Sequence, residues 1–278
     1  MKKLKPGEGL VLWVSRLVIW CVIIVTIIPL LFVVTASLNS SNTYFSASLI
    51  PSHPSLINYT KLFQDGEFLV WVKNSLIVGL SVAIGQVFFT ATSAFAFSRL
   101  YFIGRKYGLM TLLILQMFPN FLAIAAIYGV LAKYGMIDNI ASYILVMLGG
   151  SAYNIWLLKN YFDTVPKELD ESAIIDGANV WQRFIKILLP LSMPMLVVIF
   201  LFTLMGAFGE YVLAGTIIQS PQNYTLGVGM YQMISGKFAQ NWGEFAAAAL
   251  LSALPLTIMF GLLQKYIASG LVAGSVKG

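Results

Sequence analysis

Six stretches of this chain run for 20 residues or more without a single Asp, Glu, Lys or Arg. They are Leu17–Leu38, Asn74–Ser98, Tyr107–Ala132, Asn139–Leu158, Ile187–Gly209 and Phe245–Gln264. A helix rises about 1.5 Å per residue and the hydrocarbon core of a bilayer is about 30 Å thick, so each stretch is long enough to cross it. One such stretch fits a buried helix in a large soluble protein. Six of them, in a chain of 278 residues of which 10% are charged, leave too little polar sequence to clothe a soluble core, since ordinary soluble domains carry about 25%. The expected fold is all-α and integral to the membrane, with six transmembrane helices in one domain over residues 1–278.

The net charge of +6 fixes an orientation through its distribution. With the N-terminus inside, the inner segments hold Lys2, Lys3, Lys5, Arg16, Arg99, Arg105, Lys106, Lys159, Lys167, Arg183, Lys186, Lys265 and Lys277, and the outer segments only Lys61, Lys73, Lys133 and Lys237. Cytoplasmic loops are the ones enriched in Lys and Arg, so both termini are expected in the cytoplasm. The basic excess reports topology, and no nucleic-acid partner is expected. Val34-Thr35-Ala36 imitates a signal cleavage site, but the apolar run before it is longer than the roughly 7–15 residues of a signal peptide. The first window is expected to remain as a helix. The single cysteine, Cys21, lies inside it and leaves no intrachain disulfide to form.

The windows also lack ionisable residues at their centres. Glu210, at the outer end of the fifth, comes nearest. Ion-coupled transporters and charged-ring channels need such groups within the membrane, where they persist only because they function. If this protein moves a solute uphill, the energy enters from outside the bilayer. The chain has no G-x-x-x-x-G-K-[ST] phosphate loop, so ATP would have to be bound by a separate subunit. No catalytic residues, cofactor or metal site are expected, and the chain is not expected to be an enzyme. His53 stands alone in the first outer loop, short of the roughly three or four ligands that a metal needs.

Two outer segments are long, about residues 39–73 and 215–244, and the inner segment at about 159–190 is the most charged of all. Asp163-Thr164-Val165-Pro166-Lys167-Glu168-Leu169-Asp170-Glu171 reads as the opening of a helix, with proline tolerated in the first turn and acids at the positive end of the dipole. Gly177 permits a sharp turn, Asn179 is a plausible N-cap for a second helical stretch to Leu188, and Pro190 marks re-entry into the membrane. The pair would carry Ile174, Ile175, Val180, Trp181 and Phe184 in a cytoplasmic loop. Physics alone leaves two covers open for that surface: lipid headgroups, or a groove on a cytoplasmic partner.

The residues themselves go further. Glu171-Ser172-Ala173, three residues, Gly177, nine residues, then Ile187-Leu188-Leu189-Pro190 resembles the "EAA…G…I-x-L-P" loop of ABC importer permeases, with Ser172 in place of the usual alanine. Asn223-Tyr224-Thr225-Leu226-Gly227-Val228-Gly229, Trp242-Gly243-Glu244-Phe245-Ala246-Ala247-Ala248-Ala249, Ser252-Ala253-Leu254-Pro255 and Gly274-Ser275-Val276-Lys277-Gly278 resemble the maltose/maltodextrin branch of the carbohydrate-uptake class. The resemblance implies a type I importer in a prokaryotic plasma membrane, moving a sugar such as maltose or maltodextrin. Another oligosaccharide, or glycerol phosphate, would use the same machinery, and a stand-alone facilitator is the alternative from another class. The implied partners are a second homologous permease, two copies of a cytoplasmic ATPase and an extracytoplasmic sugar-binding protein.

Residue by residue, the resemblance implies ATPase coupling at Glu171, Ser172, Ala173, Gly177, Ile187, Leu189 and Pro190, with Glu171 the candidate ion-pair partner of an ATPase arginine. It implies a second ATPase contact at the tail Gly274, Ser275, Val276, Lys277 and Gly278. It implies an outer loop that reaches the binding protein, for which Asn223, Tyr224, Tyr231, Gln232, Asn241 and Trp242 supply amides and aromatic faces suited to sugars. Three formal glycosylation acceptors, at Asn39, Asn58 and Asn223, are read as coincidence. Pro29 and Pro119 interrupt the first and third windows as kinks or packing features.

Overall fold

The computed structural model describes residues 8–40, 54–64, 66–118, 120–149, 151–235 and 241–273. Their regular structure is helical, and the β pairing among them is an isolated antiparallel bridge between Asn39 and Pro54. The chain groups into two compact units, Met1–Gly66 with Gln232–Leu251, and Glu67–Tyr231 with Ser252–Gly278.

In the first unit, α1 (Glu8–Ser37) exposes apolar side chains along nearly its whole length. An apolar face of that extent belongs against hydrocarbon or another chain. Its end is fastened by α2 (Ile57–Gln64). Asn58 is buried and donates both amide hydrogens, to the carbonyls of Ser37 at 2.9 Å and Asn39 at 2.8 Å. The Ser37 and Tyr59 hydroxyls meet at 2.8 Å. The formal acceptor Asn58 therefore has its amide nitrogen committed inside the fold. The last helix begins against it, with Gly243 so close that a Cβ there would lie 2.5 Å from Asn58 Nδ2.

The second unit is organised on α3 (Glu67–Arg99), an unbroken helix of 33 residues. Its buried positions include Trp71, Asn74, Ser75, Val78, Val82, Gln86, Thr90, Ala94 and Ser98. Steps of three and four place them on one face. One core cluster lies on the Arg99 half of this helix, where Ala91 and Phe95 meet Leu158, Phe162, Leu188 and Ile199. A second lies on the other half, where Val78 and Val82 meet Tyr143, Ala214, Ile217 and Val228.

All six windows are helical, but three are broken. The third is α4 (Arg105–Gln116) and α5 (Asn120–Lys133). The fourth is α6 (Ile140–Leu148) and α7 (Ala152–Thr164), bent by 47°. The charged segment at 159–190 forms α8 (Lys167–Ile175) and α9 (Val180–Arg183), then a π turn over Phe184–Leu188. A short α10 (Leu189–Leu191) leads at 77° into α11 (Met193–Gly209). After it come α12 (Val212–Ile217), a 3₁₀ turn at Pro221–Asn223, α13 (Leu226–Ser235) and α14 (Trp242–Ala273). Three helices among the described residues are unbroken and long and apolar enough to cross a membrane, and the two bent pairs qualify when each is taken as one span. The breaks coincide with Gly149 and with Pro190–Ser192, where a missing side chain or a missing N–H weakens the ladder. The π turn has the same origin: Leu189 N–H reaches back five residues to Phe184, and Pro190 next to it has no N–H to give.

One local expectation needs correcting. Asp163 and Thr164 end α7 instead of opening the next helix, and Pro166 is the N-cap of α8. Proline forces the residue before it out of the helical region, and Val165 sits accordingly at φ −75°, ψ 125°.

Candidate coupling and outer-loop sites

The turn between α8 and α9 follows from its residues. Gly177 has φ +81°, and a Cβ there would meet nothing within 4 Å, so glycine is needed for its conformation and not for space. Ala178 N–H donates to Ala173 O at 2.8 Å and Gly177 N–H to Ile174 O at 3.0 Å, a Schellman closure that satisfies the last carbonyls of α8. Asn179 then caps α9 as expected: its Oδ1 accepts from Gln182 N–H at 2.9 Å, and its own N–H donates to Gln182 Oε1 at 2.8 Å.

The expected coupling residues divide into a tip and a root. At the tip, Glu171, Ser172 and Gly177 are exposed and Ala173 is half-buried. Around them Ile174, Ile175, Val180 and Trp181 are exposed, Ile175 to 86%. At the root, Ile187 and Leu189 are half-buried beside fully buried Leu188, and Pro190 is exposed. The tail Gly274, Ser275, Val276, Lys277 and Gly278 lies outside the described residues, as do His53 and Pro119.

What holds the tip to the rest of the unit is an ion cluster that sequence reasoning missed. Arg99, the last residue of α3, puts Nε 2.6 Å from Asp170 Oδ2 of α8, with side chains only 4% and 8% exposed. Arg99 Nη2 also donates to the carbonyls of Phe162 (3.0 Å) and Val165 (2.8 Å) at the end of α7. Arg183 Nη1 of α9 approaches Asp170 Oδ1 at 4.0 Å. Beside them Ser98 Oγ donates to Asp163 Oδ1 at 2.6 Å, and Lys159 Nζ lies 2.6 Å from Asp163 Oδ2. The cluster joins the ends of α3 and α7 to both helices of the turn. In sequence, Arg99 reads as a topogenic charge and Asp170 as a helix-dipole acid. No local signal marks Asp170: it is buried while its apolar neighbour Leu169 is exposed, the reverse of what residue type alone suggests.

The other end of α3 is fastened to the segment that carries Gln222, Tyr224 and Leu226, the expected outer loop. Asn74 Nδ2 donates to the carbonyls of Gln222 (3.0 Å) and Tyr224 (2.9 Å), and Ser75 Oγ accepts from Leu226 N–H at 2.8 Å. Two adjacent polar residues on the buried face of α3 are the signal that could have exposed this role. Asp138, with φ 56°, grips the same loop from the connection after α5. It accepts from the N–H groups of Gln219 and Ser220, each at 2.9 Å, from the Ser220 hydroxyl, and from Asn223 Nδ2 at 3.2 Å. Burial pushes its pKa up, but the bonds from Ser220, Gln219 and Asn223 outweigh that and bring the carboxyl from 3.8 down to about 2. Glu210 caps α12, accepting from Leu213 and Ala214 N–H, and takes the Tyr143 hydroxyl at 2.7 Å. Gly229 packs flat on Trp71, where a Cβ would lie 2.1 Å from the ring.

These contacts sort the expected outer-loop residues. Asn223 is spent on Asp138, and Tyr224 is half-buried against the second core cluster. Tyr231 is exposed and stacks on Tyr211 with ring centres 5.4 Å apart. Gln232, Asn241 and Trp242 belong to the first unit, where Gln232 is exposed and Asn241 lies 3.4 Å from Glu244. Trp242 meets Phe245 edge-on at 6.0 Å.

A broken-helix fold with an exposed, glycine-turned helical pair on an ion-clustered root is the arrangement that comparison with known proteins can test. The family model described as binding-protein-dependent transport system inner membrane component matches residues 86–272. The chain belongs to that family. This permease is 39% identical to the galactooligosaccharides transport system permease protein GanQ of Bacillus subtilis, over 95% of both chains. It is 38% identical to the maltose/maltodextrin transport system permease protein MalG of Escherichia coli, over 96% of both. A solved bacterial ABC transporter involved in the import of the acidic polysaccharide alginate shares its fold with a TM-score of 0.80 at 19% identity, covering 96% of this permease and 100% of that chain. The MetNI methionine ABC transporter, inward facing, matches at 0.57 and 17% identity over 74% of this permease and 97% of that chain. The expected recognition is borne out: this is an inner-membrane permease of the carbohydrate-uptake class with the all-helical type I importer fold, and not an enzyme.

Proposed function

We propose that this chain is one permease of an ATP-driven sugar importer, in which the tip between α8 and α9 seats in a cytoplasmic ATPase. In this reading the six windows are six spans with both ends inside, and the thirteen inner against four outer basic residues support that orientation. A second homologous permease, two ATPase copies and an extracytoplasmic sugar-binding protein complete the complex. The observation that carries the reading is the tip: a patch of exposed Ile and Trp side chains held out by a Gly177 turn and anchored by a buried ion cluster. A surface that merely lay on lipid would not need so rigid a root.

The substrate reading is maltose or maltodextrin, supported by the MalG relatives. A galactooligosaccharide is the second reading, because GanQ matches at least as well. Which sugar-loaded binding protein stimulates ATP hydrolysis in the reconstituted complex decides between them. Gly177→Val tests the coupling. A β-branched residue at φ +81° costs about 1–2 kcal/mol in backbone strain and should unwind the tip. Loss of ATPase co-purification and of sugar uptake, with the permease still inserted, is expected. An unchanged yield of ATPase together with wild-type uptake overturns the coupling role.

A further inference from the structure

Polar residues recur along the packed face of α3, and three groups of them hold different partners. At one end Asn74 and Ser75 hold Gln222, Tyr224 and Leu226 of the outer loop. In the middle Gln86 Nε2 donates at 2.9 Å to Met147 O, beside the α6/α7 break. At the other end Arg99 holds Asp170 of α8 and the last carbonyls of α7. No proline interrupts the 33 residues between Glu67 and Arg99. Asn74 and Arg99 are therefore about 37 Å apart along a single helix, at about 1.5 Å per residue.

We propose that α3 is a strut, with Arg99 and the Asn74–Ser75 pair as positioning residues that make the inner turn and the outer loop move together. The inference rests on the reading of the α8–α9 tip as the ATPase contact. Its physical content is stiffness and grip. A continuous helix packed along one face resists compression, so a displacement of α8 that carries Asp170 with it must carry Arg99. The far end cannot move without Asn74, and Asn74 cannot move without straining two carbonyl hydrogen bonds of the outer loop. Of the other routes in this unit, α4–α5 is interrupted and α6–α7 and α10–α11 are bent by 47° and 77°, while the unbroken α14 belongs to the unit only from Ser252. A bend absorbs displacement, whereas an unbroken helix passes it on. Neither Arg99 nor Asn74 needs to touch sugar, ATP or a partner chain for this.

The test is a double-mutant cycle in the full reconstituted complex of both permeases, the ATPase and the binding protein. The variants are Asn74→Ala, Arg99→Lys and the pair together. Lysine keeps the charge at the inner end but cannot bridge Asp170 and two carbonyls with a planar fork. The readout is the ratio of ATPase rate with sugar-loaded binding protein to the rate without it, beside recovery of the intact complex. Each single variant is expected to lower that ratio between about 2-fold and about 30-fold, the range produced by single changes along a coupled network. Sites this far apart ordinarily act independently, so their fold-effects would multiply. With one strut, the first loss of grip already disconnects the ends, and the double variant is expected to be no worse than the more damaging single. Multiplication of the two effects, or wild-type ratios in both singles with the complex intact, overturns the proposal. Should Asn74→Ala fail to assemble, Ser75→Ala stands in its place at the same end. A wild-type complex that recovers no ATPase at all would instead sink the importer reading, and so the two failures are distinct.

Discussion

Replacing Asp170 with asparagine should be among the most damaging single-atom changes available in this protein. The substitution conserves shape and keeps one oxygen as an acceptor, so any effect is electrostatic. In the native cluster one carboxylate faces two guanidinium groups, Arg99 at 2.6 Å and Arg183 at 4.0 Å, with side chains 4%, 8% and 13% exposed for Arg99, Asp170 and Arg183. An amide in place of that carboxylate would leave two cations close together with no carboxylate paired to either and little water. Breaking a buried pair by removing one partner costs about 3–5 kcal/mol. At about 2–4 °C per kcal/mol for a chain of this size, that predicts a fall of roughly 6–20 °C in the thermal midpoint. The measurement is a thermal unfolding curve of the detergent-solubilised chain. The reasoning also predicts a recovery. Asp170→Leu combined with Arg99→Met removes the pair as a unit and should regain most of the loss, since well-packed apolar replacements of buried pairs are about neutral. A midpoint within about 2 °C of wild type for Asp170→Asn, on the same scale, would refute the argument and mean that water reaches the cluster.

Two further outcomes concern the outer loop. Gly229→Ala drives a methyl to 2.1 Å from the Trp71 ring, and should cost about 1–3 kcal/mol by overpacking; a smaller residue at Trp71 should relieve it, and thermal stability of the single and double variants checks both. Asp138 is ionised in the folded chain down to about pH 2, against 3.8 when unfolded. Its contribution is thus complete above about pH 4 and is lost as the pH falls toward 2, the sign expected for a depressed carboxylate. Proteolysis of the 219–223 segment should rise through that window in the wild type, and Asp138→Asn should cut equally fast at both ends of it.

Whatever depends on neighbours along the chain is legible in residue order alone. Runs without charge gave six helical windows because the hydrocarbon length and the helical rise are fixed numbers. Gly177 announced its turn because few other residues accept φ +81°, and Asn179 announced a cap because its side chain can reach the third N–H ahead. Pro166 is equally legible as a helix boundary, but α8 starts after it, at Lys167, and not at Asp163, since its effect on Val165 outweighs its tolerance in a first turn. Nothing local, however, pairs Arg99 with Asp170, Asn74 with Tyr224 or Trp71 with Gly229. Those partners are far apart in the chain and meet only because α3, α7, α8 and α13 pack as they do. The tertiary structure also decided which charges are spent inside the protein. Arg99 serves orientation in the sequence and anchors the coupling turn in the fold, because burial makes an ion pair specific where exposure would leave it interchangeable.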